Sequence, residues 1–200
     1  MPKRKLRRIR QYLAGHEPPA APLSPDIRAA VALILQPWED DLRVLFIHRA
    51  EHPLDPWSGH IAFPGGRQEA ADRDLLSTTR RETLEEVGID LCGPESYLGR
   101  LQEIQATGHG RPLSMTISPF VYEVGPEVHP SPDPAEVQGV LWVPLGYMQR
   151  PENLRASVKR PLPSGHETRV PALVYDGRVI WGLTYRVLTS FLELIVEEPL

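Results

Sequence analysis

The stretch FPGGRQEAADRDLLSTTRRETLEEVGID, which runs from Phe63 to Asp90, places two adjacent glycines before a segment rich in glutamate. The residue pattern from Asp72 to Val87 predicts an α-helix. Gly88 follows directly, at the position where a left-handed residue commonly ends a helix. We therefore expect a tight loop that leads into a helix with a sharp end.

Three glutamates of this helix, Glu82, Glu85 and Glu86, are spaced so that they share one face. Like charges this close repel each other, and a divalent cation between them would remove the repulsion. Mg²⁺ prefers oxygen ligands and commonly joins carboxylates to substrate phosphates. Taken alone, the spacing is more typical of an ordinary solvated acidic face, and a Mg²⁺ site for a phosphorylated substrate is the alternative that the surrounding residues must support.

Two adjacent glycines precede the acidic helix and form the second part of the candidate site. Gly65 and Gly66 permit backbone conformations and close approaches that a side chain forbids, and Pro64 stiffens the start of the loop. The loop can therefore bring main-chain carbonyls and amides to a ligand. Most Gly-Gly pairs are ordinary turns, so the two glycines alone do not indicate a ligand-binding loop. Their short separation in the sequence from the acidic helix is what indicates one.

Elsewhere the sequence predicts strands between terminal helices, in one compact domain. The strand segments are IRAAVALILQP and LRVLFIHR as a hairpin, then SYLGRLQEI, LSMTISPFVYEV, VQGVLWVPL and TRVPALVY, with GLTYRVLTSFLELIVEE as the closing helix. The proline-dense GPEVHPSPDPAE is expected to be a long surface loop. In the acidic helix, the side expected to pack on the sheet carries Leu76, Thr83, Leu84 and Val87.

Composition limits the class of protein. The 200 residues are 41% hydrophobic and 24% charged, as in ordinary globular proteins, and the apolar runs are too short to cross a bilayer. A net charge of -4 disfavours a general nucleic-acid binder. Cys92 is the only cysteine, and the N-terminus has no apolar run typical of a secretory signal. We therefore expect a cytoplasmic protein that binds neither membrane nor nucleic acid.

Residues 1–27 are expected to form a basic helix followed by a Pro-rich link. Residues 1–16 carry six basic side chains and no acidic one. Leu6, Ile9 and Leu13 recur at helical spacing, which favours an amphipathic helix docked on the domain. A phosphate-attracting arm and a targeting segment are the alternatives.

The glycine loop and the acidic helix together resemble the Nudix box, Gly-x5-Glu-x7-Arg-Glu-U-x-Glu-Glu-x-Gly-U, in which U is aliphatic. The matching positions are Arg81, Glu82, Glu85, Glu86, Gly88 and Ile89, with Thr83 at one aliphatic position. One extra residue follows Gly66, and Asp72 stands near the place of the first glutamate. A box with one extra residue between the glycine and the helix resembles that of the coenzyme A pyrophosphatase branch of the family.

That branch has a second signature, which LFIHRAEHPLDPWSGHIAFPGG partly matches. The matching residues are Leu45, Arg49, Ala50, Gly59 and Phe63 to Gly66. Leu54 stands where the branch has a second arginine, and one extra residue precedes Gly59. The segment VIWGLTYRVLTSFLEL also resembles the closing helix of the branch, so that the resemblance covers residues 28–197.

The resemblance implies an α/β fold, an α/β/α sandwich with a mixed β-sheet, over residues 28–200. It also implies hydrolysis of a nucleoside diphosphate linked to another group, with Mg²⁺ or Mn²⁺ as cofactor. The implied metal ligands are Glu82, Glu85, Glu86 and the carbonyl of Gly66. Arg81 is expected to orient a neighbouring carboxylate, and the general base is left open between Glu82 and Glu86.

Three further residues are candidates for substrate binding. Arg49 is expected to contact a substrate phosphate, Gly65 to offer backbone groups, and Trp57 to stack on a base. A structural ion pair for Arg49 and a core position for Trp57 are the alternatives.

The substrate class that the resemblance implies is coenzyme A, acyl-coenzyme A or a related nucleoside diphosphate conjugate. A housecleaning pyrophosphatase for nucleoside triphosphates and a catalytically silent, nucleotide-binding Nudix regulator are the alternatives. A homodimer is expected because family members often dimerise.

Overall fold

Eight strands form a mixed sheet in the computed structural model, which describes residues 2–16, 18, 27–52, 57–93, 96–108, 111–161 and 167–196. The strands are β1 (Ile27–Trp38), β2 (Asp41–Arg49), β3 (Ile61–Ala62), β4 (Gly65–Arg67), β5 (Tyr97–Arg100), β6 (Ile104–Gly108), β7 (Arg111–Glu123) and β8 (Val137–Pro144). The order is β3-β2-β1-β7-β5, and β4, β6 and β8 pair with β1, β7 and β2. Only the pairing of β1 with β7 is parallel among these described strands.

A second sheet and five helices complete the described part of the chain. The sheet is antiparallel and contains β9 (Ala156–Pro161), β10 (Glu167–Tyr175) and β11 (Arg178–Trp181). The helices are α1 (Pro2–Ala14), α2 (Leu75–Val87), α3 (Leu145–Met148), α4 (Pro151–Leu154) and α5 (Gly182–Val196). None of the described helices is long and apolar enough to cross a bilayer.

The side chains of the central strands point alternately to the two faces of the main sheet, and each face carries a hydrophobic core. Successive residues of a strand point to opposite faces. On one face, Leu33 and Leu35 of β1 pack in a cluster that contains residues of α1 and α5. On the other face, Ala32 and Ile34 pack in a cluster that contains Leu75 and Val87 of α2. The predicted α/β/α sandwich with a mixed sheet is thereby confirmed.

The helix α2 begins three residues later than the sequence predicts. Asp74 caps it, because its carboxylate accepts the Ser77 amide at 2.7 Å while the Ser77 hydroxyl accepts the Asp74 amide at 2.9 Å. This reciprocal capping fixes the helix start. Asp72 therefore lies in the preceding loop, outside the helix.

The packing face of α2 also differs from the prediction. Leu84 is 52% exposed, so its expected place against the sheet was wrong. Thr83 and Val87 are buried as expected, and the buried side also carries Leu75, Thr78, Thr79 and Glu86. The Thr79 hydroxyl lies 2.8 Å from the Leu76 carbonyl and 2.6 Å from the Tyr122 hydroxyl, which makes its burial tolerable.

Smaller differences concern the strands and the chain ends. The segment expected to form one strand around Tyr97 is two strands, β5 and β6, and β9 and β11 were not predicted. The helix α1 buries Leu6, Ile9 and Leu13 in the same cluster as β1. The Pro-rich link lies almost wholly outside the described residues, as does Leu54. The domain boundary after residue 27 stays a prediction.

Candidate active site

The backbone of the glycine loop forms the floor of the site. Gly65 has φ of 143°, a value that side chains disfavour, and a Cβ there would overlap the carbonyl of Ala30. This conformation directs the Gly65 amide at Glu86 Oε2, at 2.8 Å. The loop thus fixes a carboxylate of α2 through a main-chain hydrogen bond.

Glu86 is the most buried carboxylate of the cluster and is only 2% exposed. Burial raises the pKa of Glu86 to about 8, against the opposing effects of the Gly65 amide and the Arg49 guanidinium. Arg49 Nη1 lies 3.6 Å from Glu86 Oε1. A buried carboxyl with so raised a pKa is held protonated near neutral pH unless a cation joins it.

Glu82 lies directly over the second glycine. A Cβ built on Gly66 would stand 2.5 Å from Glu82 Oε1, so only glycine permits this approach. Burial also raises the pKa of Glu82, which the neighbouring Arg81 opposes. The two glycines therefore each meet one glutamate of the acidic face.

Arg81 links the helix to the loop through a set of carboxylates. Its Nε and Nη2 each donate to one oxygen of Asp72 at 2.9 Å, in a two-pronged ion pair. Its Nη1 lies 2.9 Å from Glu85 Oε2 and 3.0 Å from Glu82 Oε1. The hydrogen bonds from Arg81 hold the pKa of Asp72 far below its usual range. Arg81 thus fixes the side chains of two glutamates.

All three glutamates have protein partners in this arrangement, and those of Glu85 and Glu86 draw the two side chains apart. Glu85 turns to Arg81, whereas Glu86 turns to the Gly65 amide. Within the described residues, no three acidic, histidine or cysteine side chains are close enough to hold one ion as they stand. The Glu85 side chain is 53% exposed, so it has room to rotate towards the other two carboxylates.

The comparison with protein families decides the assignment. A model of the NUDIX domain matches residues 26–164, which is more than half of the chain. The chain belongs to the Nudix hydrolase family. The resemblance predicted from residues 63–90 is thus confirmed.

Individual relatives agree with the Nudix assignment. A mitochondrial coenzyme A diphosphatase of Homo sapiens is 30% identical over 152 residues, which cover 74% of this chain and 60% of that protein. The chain spans about half to two thirds of the length of several curated relatives that it matches.

Solved structures show the same fold at low sequence identity. A MutT/nudix family protein from Enterococcus faecalis has a TM-score of 0.61 at 18% identity, over 96% of this chain and 70% of that chain. A bifunctional NMN adenylyltransferase/ADP ribose pyrophosphatase from Francisella tularensis, solved with AMP and a Mn ion, has a TM-score of 0.55 at 18% identity. The alignment covers 96% of this chain and 47% of that chain.

Nudix hydrolases generally use divalent metal ions, and the donor set of this Nudix helix fits one. Carboxylate oxygens are the ligands that Mg²⁺ and Mn²⁺ favour. Burial raises the pKa of Glu86 and Glu82 despite the positive charge of Arg49 and Arg81 nearby, so further positive charge would favour the ionised form of both carboxyls. A divalent cation would supply that charge.

Glu136 is a site residue that sequence reasoning missed. It lies in the loop before β8, and its charge adds a small effect to the burial that raises the pKa of Glu82 and Glu86. The Glu136 carbonyl accepts the amide of Ala50 at 2.7 Å, next to Arg49. No local motif surrounds Glu136, and only its place directly before a strand could have drawn attention to it.

The predicted proline-dense surface loop also supports the Nudix helix. Its Ser131 and Asp133 amides donate to the carbonyls of Val87 and Glu86 at 2.7 and 3.0 Å. Carbonyls at a helix end have no partner within the helix. The loop therefore caps the end of α2 and holds Glu136 beside it.

Trp57 lies on the other side of the sheet. It packs in a cluster with Ala29, whereas Ala30, the next residue of β1, packs in the cluster with α2. Because successive strand residues point to opposite faces, Trp57 and Glu86 lie on different faces of β1. The structure thus brings Arg49, Gly65, Gly66 and the glutamates together, and leaves Trp57 apart from them.

The raised pKa of Glu86 predicts that stability without metal falls as the pH rises. Between about pH 4.5 and 8 the folded protein keeps a proton that the unfolded chain has released, so the free energy of unfolding decreases with pH. The Glu86→Gln variant lacks this titration. Its stability relative to the wild type should increase by a few kcal/mol over this range in denaturant unfolding with EDTA. Parallel pH profiles of the two proteins would contradict the assignment.

Proposed function

We propose that the protein is a Mg²⁺- or Mn²⁺-dependent pyrophosphohydrolase that cleaves the diphosphate of coenzyme A, acyl-coenzyme A or a related nucleoside diphosphate conjugate. The arrangement of Glu82 and Glu86 over the backbone of Gly65 and Gly66 carries this proposal. The human relative's name as a coenzyme A diphosphatase supports the substrate class.

The proposed metal ligands are Glu82, Glu85, Glu86 and the Gly66 carbonyl, with Glu136 as a further candidate. A bound divalent cation neutralises the charge of a diphosphate and lowers the pKa of an attacking water molecule. The protein supplies the fixed carboxylates. Arg49, 3.6 Å from Glu86, is placed to contact a phosphate oxygen near the same centre.

Proton transfer is the second role proposed for the glutamates. The general base is Glu82 or Glu86, and a carboxyl whose pKa lies near neutrality is suited to exchange protons there, which supports Glu86. The Gly65 amide fixes one oxygen of Glu86 and leaves the other directed to the site. Trp57 is not adjacent to this centre, so a stacking role requires the substrate to reach across β1.

We further propose that the substrate is a small nucleotide rather than a nucleic acid, since the net charge is -4. A cytoplasmic location and a homodimer remain part of the proposal. The exposed Cys92 suits a reducing compartment.

The direct test is incubation with coenzyme A, acyl-coenzyme A, ADP-ribose, NADH, diadenosine polyphosphates and nucleoside triphosphates, with product masses measured. Metal-stimulated cleavage of coenzyme A to 4'-phosphopantetheine and adenosine 3',5'-bisphosphate is expected. EDTA and the Glu86→Gln variant should abolish it. No metal-stimulated cleavage of any nucleoside diphosphate conjugate would refute the function.

The same panel separates the two alternatives. Preference for triphosphates over coenzyme A would identify a housecleaning pyrophosphatase. Tight nucleotide binding, with turnover unchanged in Glu85→Gln and Glu86→Gln, would identify a silent regulator. The complete glutamate set disfavours the regulator, because a protein that only binds nucleotide has no need of it.

Asp72 should affect turnover through Arg81. Replacing it by asparagine removes the charge that fixes Arg81, so we expect kcat to fall about tenfold with a small change in KM. Asp72→Glu should restore part of the loss. Asp40→Asn, in the exposed turn between β1 and β2, is the control. A change in KM alone would show that Asp72 acts on substrate binding instead.

A further inference from the structure

The loop that carries Glu136 is fixed at its start by a buried glutamine of β1. Gln36 is 0% exposed, and its Nε2 donates to the carbonyls of Gly125 and Val128 at 2.7 and 2.8 Å. Its Oε1 accepts Arg43 Nε at 2.9 Å and Arg43 Nη2 at 2.6 Å. Both donors and both acceptor sites of the Gln36 amide are therefore occupied.

Arg43 is itself held in place by two tryptophans. It stands opposite Gln36 in the pairing of β1 with β2. Its guanidinium carbon lies 3.8 Å from the ring centroid of Trp38 and 4.6 Å from that of Trp142. A buried polar network with every member satisfied is rigid and specifies one arrangement. The start of the loop therefore has a fixed position relative to the two strands.

The end of the same loop is fixed by a turn at Asp133. Its carbonyl accepts the amides of Glu136 and Val137 at 3.0 and 2.8 Å. Its Oδ1 accepts the amide of Ala135 at 2.9 Å, as in the local turns that aspartate favours. The Asp133 amide donates to the Glu86 carbonyl at 3.0 Å. This one residue therefore connects the backbone of Glu136 to the end of the Nudix helix.

These bonds bring Glu136 to the carboxylate centre. Its carbonyl accepts the amide of Ala50 at 2.7 Å, and Ala50 follows Arg49, whose Nη1 lies 3.6 Å from Glu86 Oε1. The charge of Glu136 also makes a small contribution to the raised pKa of Glu86. Glu136 is exposed, so its direction depends on how firmly its backbone is held.

We propose that Gln36 and Asp133 are positioning residues that hold Glu136 at the carboxylate centre. A ligand on a loop binds a metal tightly only when its supporting residues fix it in advance. Gln36 fixes the start of the loop and Asp133 fixes its end, and neither residue belongs to the Nudix box. This inference rests on the proposed function, because it takes Glu136 as a metal ligand.

The test is Mn²⁺ binding to the metal-free protein, followed by the electron paramagnetic resonance signal of free Mn²⁺. Residues that orient a metal ligand commonly affect metal affinity 10- to 100-fold, so Asp133→Ala should weaken Mn²⁺ binding about tenfold. Asp133→Asn keeps an oxygen for the Ala135 amide and should stay within about threefold of the wild type. Equal losses in the two variants would show that the charge matters and the turn does not, which would overturn the inference.

Gln36→Met tests the other end of the loop. It removes the amide and keeps most of the volume, and it should also weaken Mn²⁺ binding about tenfold. Its melting temperature should fall, because two carbonyls lose their donor. Asp133 is exposed, so its variants keep the test decisive if Gln36→Met fails to fold.

Leu188→Ala is the control for lost stability. Leu188 of α5 is buried in the cluster on the other face of the sheet. Its replacement should lower the melting temperature and leave the Mn²⁺ affinity within about twofold of the wild type. A similar loss of affinity in Leu188→Ala and Gln36→Met would show that Gln36 acts through stability alone, which would overturn its positioning role.

Double variants decide whether the two residues act through Glu136. In the Glu136→Gln background, Asp133→Ala and Gln36→Met should weaken Mn²⁺ binding no further, because the ligand that they position is absent. Undiminished losses in this background would overturn the inference. The readout is metal affinity, so a positive result stands even if coenzyme A is not hydrolysed. Metal-dependent hydrolysis with unchanged Mn²⁺ affinity in every variant would overturn the inference and leave the proposed function standing.

Discussion

Replacing Glu86 by glutamine is expected to reduce kcat/KM by about 10³-fold while the fold stays intact. Glutamine keeps the volume and the acceptor for the Gly65 amide, but it cannot carry the negative charge of a metal ligand or a base. The substitution also removes a buried ionisable group, so the melting temperature without metal should not fall. Steady-state kinetics on the preferred substrate and thermal unfolding are the two measurements.

The control for Glu86 is Glu193→Gln, which changes an exposed glutamate of α5 and should leave kcat/KM within twofold of the wild type. Activity above a tenth of the wild-type value in Glu86→Gln would exclude Glu86 from both proposed roles. A melting temperature far below that of the wild type would instead mean that the charge holds the fold together.

Replacing Gly65 by alanine is expected to destabilise the protein by about 3 kcal/mol or more. The φ of 143° is strained for any residue with a side chain, and the added Cβ would meet the backbone of Ala30 and Val31. Both neighbours belong to the central strand and cannot move aside cheaply. Activity should fall at least 100-fold, because the displaced amide no longer fixes Glu86.

Gly139→Ala provides the comparison for this substitution. Gly139 lies in β8, has no positive φ, and a Cβ there would meet nothing within 4 Å. Alanine at this position should change the free energy of unfolding by less than about 1 kcal/mol. Denaturant unfolding of the two variants tests the difference, and equal losses would show that the conformation of Gly65 has no special role.

The acidic face and the glycine loop could be predicted because both depend on the spacing of residues within one short segment of the chain. The spacing of Glu82 and Glu86 fixes a common side of a helix, and the glycines precede it at a short distance. The same local reasoning placed the helix start too early. The Asp74–Ser77 cap starts the helix at Leu75, and Asp72 lies in the preceding loop as a partner for Arg81.

The rest of the site depends on contacts between distant parts of the chain. Glu136 reaches the Nudix helix because its loop caps that helix, and Arg49 of β2 lies 3.6 Å from Glu86 of α2. Neither contact leaves a pattern in the surrounding residues. Spacing within one element predicts which side chains share a face, but it does not predict which element covers that face.

The threonines of α2 show a further limit of periodicity. We predicted Thr83 and Leu84 on the packed side, and the structure buries Thr83 but exposes Leu84. Thr79, which was not predicted there, is buried as well. Threonine can be buried in a helix when its hydroxyl bonds to a preceding carbonyl, as Thr79 does to Leu76. Such a bond favours the burial of Thr79, but Thr83 Oγ1 is buried without a hydrogen-bond partner among the described residues, so neither hydropathy nor hydrogen bonding alone decides which side of the helix is packed.

The parallel pairing of β1 with β7 determines when the site can form during folding. The paired residues, such as Ile27 and Met115, are about 90 residues apart in the chain, and the whole Nudix box lies between them. Closing so long a loop is slow, whereas a capped helix forms quickly. The helix α2 can thus exist before the sheet does, but its glutamates gain the Gly65 amide only when β4 has docked on β1. The strand β1 that holds β4 is completed only by its later pairing with β7, so the carboxylate centre gains its full support after a part of the chain that contributes none of its carboxylates has joined the sheet.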